Sequence, residues 1–388
     1  MYNVKSPGLT RRLLPTLSSN FFEQHILHQR RFLYLYNPTR NHRHIWSLYM
    51  YGRSCPSTVS SSQPTKNVIP VVALRSMSVK SDCTPTNADR GRSINESITI
   101  YGNLMRLQNL APVGIFAFPA LWSSFMAISS TWGYEKLKKM VLFCLGAFFG
   151  RNAGCCINDM ADRNIDKYVE RTKTRPMAAG LLSTREALCV LSANAALGLL
   201  VLLQFDIRTI RIGILTAIGS CVYPFMKRYT NFPPLFLGLA TNLSVYIAWS
   251  AIAPTFTLAP SFLYIASNLW TLIYDTVYAH QDLKYDRKIG VKSLAIYWGD
   301  NTKKNCKLCS IGILTLLVAA GYASGLNNWY YGLIALSHFW MNRQINAVDL
   351  KDAKQCLSFF KRSVIYGALV LTAVVLGNDI PSKVKFTS

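Results

Sequence analysis

Apolar stretches of roughly 17–22 residues recur along the chain from about residue 108 onward, and their length limits what this chain can fold into. A helix of about 20 apolar residues spans the hydrocarbon core of a bilayer. Inside that core every backbone N–H and C=O needs a partner within the protein, which a helix supplies. The pattern therefore predicts an all-α, multi-span transmembrane helix bundle of about nine helices. The predicted spans are residues 110–131, 138–157, 186–205, 210–226, 234–253, 260–279, 308–325, 328–343 and 363–378, with breaks at Pro224, Pro233, Pro254 and Pro260.

The composition argues against an ordinary soluble domain, because 51% of the residues are hydrophobic and only 15% are charged. A net charge of +24 can indicate nucleic acid, anionic lipid or an acidic substrate as the partner. The basic residues flank the apolar stretches and form no patterned nucleic-acid-binding motif. We therefore expect contact with membrane lipid and no contact with nucleic acid.

The first 95 residues differ from the rest of the chain. They contain thirteen Lys or Arg and three acidic residues, with many Ser, Thr, Pro and Asn. A leader that is rich in Arg and Ser and poor in acids resembles an organelle transit peptide, and we expect a mitochondrial one. The alternative is a disordered basic tail without a targeting role. The sequence thus predicts a leader over residues 1–95 and a membrane domain over residues 96–388.

Two aspartate clusters lie at the ends of apolar stretches and hold six of the eighteen acidic residues. Carboxylates beside hydrocarbon are costly and indicate a functional site. Helical positions i and i+4 share a face, so each cluster is expected to direct two or three oxygens into a common cavity. Mg²⁺ prefers such oxygen ligands together with substrate phosphates; solvated acids at helix ends are the alternative. The clusters are Asn158-Asp159-x-x-Asp162-x-x-x-Asp166 and Asp275-x-x-Tyr278-x-x-x-Asp282-x-x-x-Asp286.

Both clusters are predicted on the same side of the membrane, because four predicted spans separate the loops that follow them. The loops on that side carry twenty Lys or Arg, and the loops on the opposite side carry five. An excess of Lys and Arg marks the cytoplasmic side, which corresponds to the matrix side in a mitochondrion. The site is therefore expected on the matrix side of the mitochondrial inner membrane.

Basic residues near the clusters are candidates for binding phosphate, because Arg makes bidentate contacts and Lys acts as a point charge. Lys288, like other basic residues at span ends, is more simply explained as a headgroup anchor. His280, beside the second cluster, is either catalytic or an interfacial histidine with a satisfied partner. The pair Cys306-x-x-Cys309 has no second pair or nearby His, so packing is favoured over a redox or metal role. The basic candidates are Arg171, Lys173, Arg175, Lys227 and Arg228.

These motifs carry a family resemblance over roughly residues 100–380. The first signature of the UbiA superfamily of intramembrane aromatic prenyltransferases is similar to the segment from Asn158 to Pro176, NDMADRNIDKYVERTKTRP. Its second signature is similar to the segment from Tyr274 to Ala295, YDTVYAHQDLKYDRKIGVKSLA. The loop YPFMKRYTNFPPLFLG, from Tyr223 to Gly238, resembles the branch that acts on 4-hydroxybenzoate in ubiquinone biosynthesis.

The resemblance implies a nine-helix bundle with a central cavity in which the two motifs face each other. It implies Mg²⁺ as the cofactor, with Asp159, Asp162, Asp166, Asp282 and Asp286 as its ligands. Four of these, Asp162, Asp166, Asp282 and Asp286, are also the expected catalytic residues, together with Arg228. The chain departs from the family at Arg106, where it reads RLQNLAPVG in place of an RLDKPIG-like segment. The expected substrate-binding residues are Arg106, Asn158, Arg171, Arg175, Lys227, Asp275 and Tyr278.

The activity that this resemblance implies is transfer of a polyprenyl group from polyprenyl diphosphate to the ring of 4-hydroxybenzoate, ortho to the hydroxyl. Other ubiquinone-biosynthesis proteins are possible partners. Farnesyl transfer to protohaem is the alternative within the same superfamily. A membrane transporter with intramembrane acids is the alternative outside enzymes, although transporters place such acids near mid-membrane.

Overall fold

The computed structural model describes residues 92–127 and 133–378. Within these ranges the regular structure is helical, and no strand occurs. The all-helical fold class predicted from the apolar stretches is confirmed. The leader predicted over residues 1–95 falls almost wholly outside the described residues, so the transit peptide stays a prediction.

Fourteen α-helices are found in the described residues, and short 3₁₀ turns connect some of them. The 3₁₀ turns are Tyr223–Arg228, His280–Asp282 and Gly299–Asn301. The helices are α1 (Ile94–Leu104), α2 (Ala111–Met126), α3 (Tyr134–Ala161), α4 (Arg163–Asp166), α5 (Thr184–Leu202), α6 (Ile207–Val222), α7 (Pro233–Thr241), α8 (Ser244–Ile252), α9 (Ala259–Ala279), α10 (Leu283–Ile289), α11 (Leu294–Trp298), α12 (Thr302–Ala323), α13 (Asn328–Ala347) and α14 (Ala353–Gly377).

Each of the nine predicted spans overlaps a helix or a helix pair of the structure. Six segments of the described residues are long and apolar enough to cross a membrane by length and composition. The helix α2 is apolar but shorter, with 16 residues. The segments that meet both requirements are Tyr134–Ala161, Thr184–Leu202, Ile207–Arg228, Pro233–Ile252, Leu294–Ala323 and Ala353–Gly377.

The structure differs from the predicted spans in two places. The fifth span is interrupted at Asn242 and Leu243, so that α7 and α8 are separate helices. The Asn242 side chain donates to the Thr271 hydroxyl at 3.0 Å, which gives this break a polar partner on α9. The helix of the ninth predicted span, α14, begins ten residues earlier than predicted. Asp352 caps its start by accepting from the backbone N–H groups of Lys354 and Gln355 at 2.8 and 3.4 Å.

The largest core cluster lies between α2, α8, α9, α12, α13 and α14. Trp122 of α2 and Trp270 of α9 pack with ring centroids 5.2 Å apart, and the indole N–H of Trp122 donates to the Gly367 carbonyl at 3.0 Å. Gly321 lets α12 approach the Tyr330 ring so closely that a Cβ at this position would clash with it. Close packing of this kind, together with interhelical hydrogen bonds, holds membrane helices together where lipid supplies no hydrophobic drive.

Contacts between residues that are far apart in the sequence identify the two ends of the bundle. At one end Lys139 donates to the Ala251 carbonyl at 2.6 Å, and Arg208 donates to the Pro254 carbonyl at 3.1 Å. At the other end the C-terminal ends of α3 and α9 and the turn Tyr223–Arg228 come together, as the contacts below show. The two aspartate clusters therefore share one end of the bundle, as the span count predicts.

Candidate active site

The first cluster is positioned by the C-terminal end of α3 and the short helix α4. Asn158 and Asp159 lie in the last turn of α3, and Asp166 ends α4. The i, i+4, i+8 spacing predicts one continuous helix, but α3 ends at Ala161 and Asp162 bends the chain, with φ −97° and ψ 5°. The carbonyl of Asp162 still accepts from the backbone N–H of Asp166 at 2.8 Å. The hydrogen bonding therefore continues through the bend, and the three carboxylates are buried.

Each carboxylate of the first cluster has a basic partner. Arg106 donates to Asp159 at 2.6 Å, and Lys227 donates to Asp162 at 3.2 Å. Arg175 donates to Asp166 at 2.8 Å and lies 3.4 Å from the same Asp159 oxygen that Arg106 contacts. These three cations come from different parts of the chain. The structure thus places Arg106, Arg175 and Lys227 around this cluster.

Two buried oxygens of this cluster have no hydrogen-bond partner. They are Asn158 Oδ1 and Asp159 Oδ2. A buried oxygen without a partner is costly, and a site that holds a ligand is one explanation for it. Both atoms are hard oxygen donors of the type that Mg²⁺ and Ca²⁺ accept. The residues present therefore fit a divalent cation at this point.

The second cluster follows α9 through the 3₁₀ turn His280–Asp282 and continues into α10. Arg171, from the loop after the first cluster, contacts Asp282 with two nitrogens, of which Nε is 3.0 Å from Oδ1. The Arg171 guanidinium also donates to the Tyr278 hydroxyl at 3.0 Å and lies 5.3 Å from the centre of its ring. Arg171 thus joins the two clusters directly.

The remaining carboxylates of the second cluster, Asp275 and Asp286, form no ion pair within 4.0 Å among the described residues. Burial, followed by the negative charge of Asp282, raises the pKa of Asp286 to about 6. Burial disfavours the ionised carboxylate, and the neighbouring negative charge disfavours it further. In the second cluster, Asp282 is therefore the carboxylate with a basic partner among the described residues.

The two residues of the Lys-Arg pair between the clusters have different contacts. Lys227 faces Asp162, as described above. Arg228, predicted as a catalytic residue, donates to the Ala161 carbonyl at 2.8 Å and lies 5.6 Å from the Phe225 ring. Its side chain is exposed, and it binds the C-terminal end of α3 where the helix leaves its carbonyls without partners. Lys173, another basic candidate, pairs with the exposed Glu170 at 2.7 Å.

Arg151, a residue that the sequence did not single out, holds the loop that carries Arg106. Its buried guanidinium donates to the carbonyls of Met105, Arg106 and Asn109 at 2.6, 3.3 and 3.0 Å. Arg106 has φ 54°, and no other non-glycine residue in the described ranges has a positive φ. The three contacts offset this unfavourable backbone conformation. A basic residue inside an apolar stretch was the available signal for Arg151.

Three basic side chains beside the clusters are only partly buried. Arg106, Arg171 and Lys227 keep 33%, 34% and 38% of their side-chain surface accessible, although each contacts carboxylates that are buried or nearly buried. Partly accessible cations paired with carboxylates that are largely shielded from solvent form a polar site. The side chains of the described residues do not form a group of three or more His, Cys, Asp or Glu that converge on one point. Four of the carboxylates, Asp159, Asp162, Asp166 and Asp282, instead face basic partners.

Comparisons with known proteins agree with this geometry. The profile of the UbiA prenyltransferase family matches residues 116–366, which include both clusters. The chain belongs to the UbiA prenyltransferase family. It is therefore an enzyme that transfers a prenyl group, and the transporter alternative is set aside.

Similar proteins from several organisms are named for one acceptor. The 4-hydroxybenzoate polyprenyltransferase, mitochondrial, of Arabidopsis thaliana is 38% identical over 290 residues, which cover 73% of this chain and 70% of the relative. The protein of the same name from Schizosaccharomyces pombe is 38% identical, with 69% and 76% covered. The 4-hydroxybenzoate octaprenyltransferase of Vibrio cholerae is 37% identical, with 71% and 96% covered.

Solved structures of distant relatives support the fold. A UbiA homologue from Aeropyrum pernix K1 superposes with a TM-score of 0.55 at 23% identity, covering 68% of this chain and 96% of that one. A UbiA homologue from Archaeoglobus fulgidus bound to GPP and Mg²⁺ gives a TM-score of 0.52 at 19% identity, with 71% and 99% covered. At these identities the likeness establishes the helical membrane fold.

Proposed function

We propose that the chain transfers a polyprenyl group from polyprenyl diphosphate to the ring carbon of 4-hydroxybenzoate that is ortho to the hydroxyl. The single observation that carries this proposal is the meeting of both aspartate clusters at one polar site, joined by the contact between Arg171 and Asp282. The acceptor is taken from the names of relatives that are 37–38% identical. Ubiquinone biosynthesis is the pathway that needs this product.

Mg²⁺ is the proposed cofactor, because the donor set fits a hard divalent cation. Asp159 offers a buried oxygen without a partner, Asp286 forms no ion pair among the described residues, and Asp282 is paired with Arg171 alone. Asp162 and Asp166 each pair with one basic residue, and as metal ligands they would exchange that contact for one to the cation. When bound, the cation supplies positive charge that stabilises the diphosphate as it leaves.

The chain's own cations bind and orient the diphosphate. Arg171 and Arg175 have guanidinium groups that suit bidentate contacts to phosphate oxygens, and Lys227 adds a point charge. Asn158 and Tyr278 lie beside the same carboxylates and complete the proposed substrate-binding set. As the carbon–oxygen bond breaks, its electron pair leaves with the diphosphate, and the developing allylic cation needs protection from water.

Aromatic rings form the apolar side of the site. Tyr278 packs on Phe360 with centroids 4.6 Å apart, and Tyr274 packs on Trp270 at 5.3 Å. Such rings exclude water and present their negative faces to a cation. The allylic carbon then forms a bond to the acceptor ring, and the ring proton passes to a base. Asp275 is a carboxylate close to this position that makes no ion pair among the described residues.

The acceptor's carboxylate needs a cation, and Arg106 is the proposed one. Arg106 is held by the three backbone contacts of Arg151 and reaches Asp159, so it lies at the edge of the first cluster. The chain departs from the family pattern at the loop that carries Arg106. The three contacts from Arg151 to this loop support Arg106 as the residue that binds the acceptor's carboxylate.

The proposed location is the mitochondrial inner membrane, with the site on the matrix side. The support is the distribution of basic residues, with twenty Lys or Arg in the loops at the end with the site and five in the opposite loops. The names of the relatives from Arabidopsis thaliana and Schizosaccharomyces pombe include the word mitochondrial. The leader over residues 1–95 is the proposed transit peptide.

Prenyl transfer to radiolabelled 4-hydroxybenzoate tests the proposal. The detergent-solubilised full chain is supplied with polyprenyl diphosphates of several chain lengths, first with Mg²⁺ and then with excess EDTA. We expect label in a lipid-soluble product with Mg²⁺ and none with EDTA. Several chain lengths are needed because relatives are named for octaprenyl and geranyl transfer.

The acceptor and the metal are tested separately in this assay. Product with protohaem and none with 4-hydroxybenzoate would overturn the proposed acceptor and leave the family assignment intact. Product that persists in excess EDTA would overturn the metal requirement. The Asp282→Asn variant serves as the control for background labelling.

A further inference from the structure

His280 is buried between the second cluster and the beginning of α12, with 8% of its surface exposed. It lies two residues before Asp282, in the 3₁₀ turn that follows α9. Its Nε2 is 3.1 Å from the Thr302 hydroxyl, and Thr302 is the first residue of α12 and is fully buried. The turn that carries Asp282 is therefore attached to a different helix of the bundle through this contact.

The direction of this hydrogen bond follows from the second contact of Thr302. The Thr302 hydroxyl donates its single proton to the Gly299 carbonyl at 2.7 Å. It can therefore only accept from His280, so Nε2 carries a proton in this arrangement. Gly299 has φ 49°, a backbone conformation that favours glycine. The three residues form a chain of hydrogen bonds from the 3₁₀ turn to the loop before α12.

We infer that His280 is a positioning residue that fixes Asp282 for metal binding through its hydrogen bond to Thr302. The inference rests on the proposed function, in which Asp282 is a metal ligand. Residues that orient a ligand without touching the metal commonly change metal affinity by about 10–100-fold when they are replaced. His280 takes this role through the backbone of the turn, because Asp282 follows it after a single residue.

The geometry argues against a catalytic role for His280. Its Nε2 is engaged with Thr302, and its side chain packs toward α12. Asp282 accepts from Arg171, whose guanidinium also donates to the Tyr278 hydroxyl. Nε2 of His280 is therefore occupied by its hydrogen bond to Thr302, on the side of the turn that faces α12.

Four single variants and one double variant separate these roles, each measured in the detergent-solubilised full chain. The readout is binding of Mn²⁺, followed by electron paramagnetic resonance, with inorganic pyrophosphate and no acceptor. His280→Gln places an amide N–H near the position of Nε2, and Thr302→Ser keeps the hydroxyl. His280→Asn is too short to reach, and Thr302→Val removes the acceptor. The double variant combines His280→Asn with Thr302→Val.

We expect His280→Asn and Thr302→Val each to weaken Mn²⁺ binding by about tenfold or more. The double variant should bind Mn²⁺ no more weakly than the single variant with the lower Mn²⁺ affinity, because both changes remove the same contact. His280→Gln and Thr302→Ser should bind Mn²⁺ nearly as tightly as the unchanged chain.

Three results would overturn the inference. A lower melting temperature of His280→Asn with unchanged Mn²⁺ affinity would make the contact merely structural. Loss of turnover in both His280→Gln and His280→Asn, with Thr302→Val silent, would make His280 catalytic. Absence of Mn²⁺ binding by the unchanged chain would remove the proposed metal site itself, and this outcome is recognised before any variant is measured.

Discussion

The two aspartate clusters have similar spacing but different electrostatic surroundings. In the first cluster Asp159, Asp162 and Asp166 are 1%, 5% and 6% exposed, and each has a basic partner. In the second cluster Asp282 has a basic partner in Arg171, whereas Asp286 has none within 4.0 Å among the described residues. Each carboxylate of the first cluster is therefore paired by the protein, whereas Asp286 of the second cluster is not.

This difference indicates that the two clusters have different roles in binding the metal and the diphosphate. Buried carboxylates that are already paired can stay ionised without a ligand, because their charge is compensated. Carboxylates that lack a cation gain most from a metal ion. We infer that the second cluster supplies much of the drive for metal binding, and that the basic residues around the first cluster become available to the diphosphate.

The largest expected effect comes from removing one carboxylate of either cluster. Asp162→Asn and Asp282→Asn should each lower turnover by about 1000-fold, since stabilisation of a leaving group by a metal is worth several kcal/mol. The measurement is the rate of prenyl transfer, with insertion and folding checked by size-exclusion chromatography in detergent. Full activity of either variant would contradict a site that is shared by the two clusters.

The next effect separates the neighbours Lys227 and Arg228. Lys227→Gln should lower turnover by about 100-fold, because it removes the partner of a buried carboxylate and a cation for the diphosphate. Arg228→Gln is the matched control and should lose less than about tenfold, since Arg228 binds an exposed helix end. Equal losses in the two variants would instead support the direct catalytic role predicted for Arg228 from the sequence.

Replacement of Arg171 should change two affinities in opposite directions. In Arg171→Gln, Asp282 is free of its basic partner, so Mn²⁺ should bind about tenfold more tightly when diphosphate is absent. Pyrophosphate should bind about tenfold more weakly, because a bidentate phosphate contact is lost. Titrations of each ligand alone measure both changes. A decrease in both affinities would show that Arg171 positions Asp282 and does not compete for it.

The smallest effect concerns pH. The pKa of Asp286 is about 6, and only the deprotonated carboxylate binds a metal. Affinity for Mn²⁺ should therefore fall as the pH falls, by about threefold between pH 6.5 and 5.5. The Asp286→Asn variant should bind more weakly and show a flatter dependence over this interval. An unchanged slope in this variant would assign the pH dependence to another group.

Much of the architecture could be predicted from the sequence, because the length of apolar stretches and the side of each loop are local properties of the chain. Each predicted span overlaps helix in the structure, and the residues predicted around Asp162 and Asp282 meet there. The break between α7 and α8 was not predictable, because it depends on the partner that Asn242 finds on α9.

The rest of the site depends on contacts between residues that are distant in the chain. Arg151 interacts with backbone carbonyls about 45 residues away, and carbonyls leave no signal in a sequence. The different surroundings of Lys227 and Arg228 likewise follow from the turn Tyr223–Arg228, in which adjacent side chains face different ways. Residue type indicated that both can bind phosphate, and only the fold distinguishes them.

The measurement that tests the shared site most directly is binding of Mn²⁺ to the unchanged chain, Asp162→Asn and Asp282→Asn, each with and without pyrophosphate. We predict that pyrophosphate tightens Mn²⁺ binding to the unchanged chain and that either substitution abolishes this coupling. Coupling that survives in one of the two variants would contradict a single metal–diphosphate site built from both clusters.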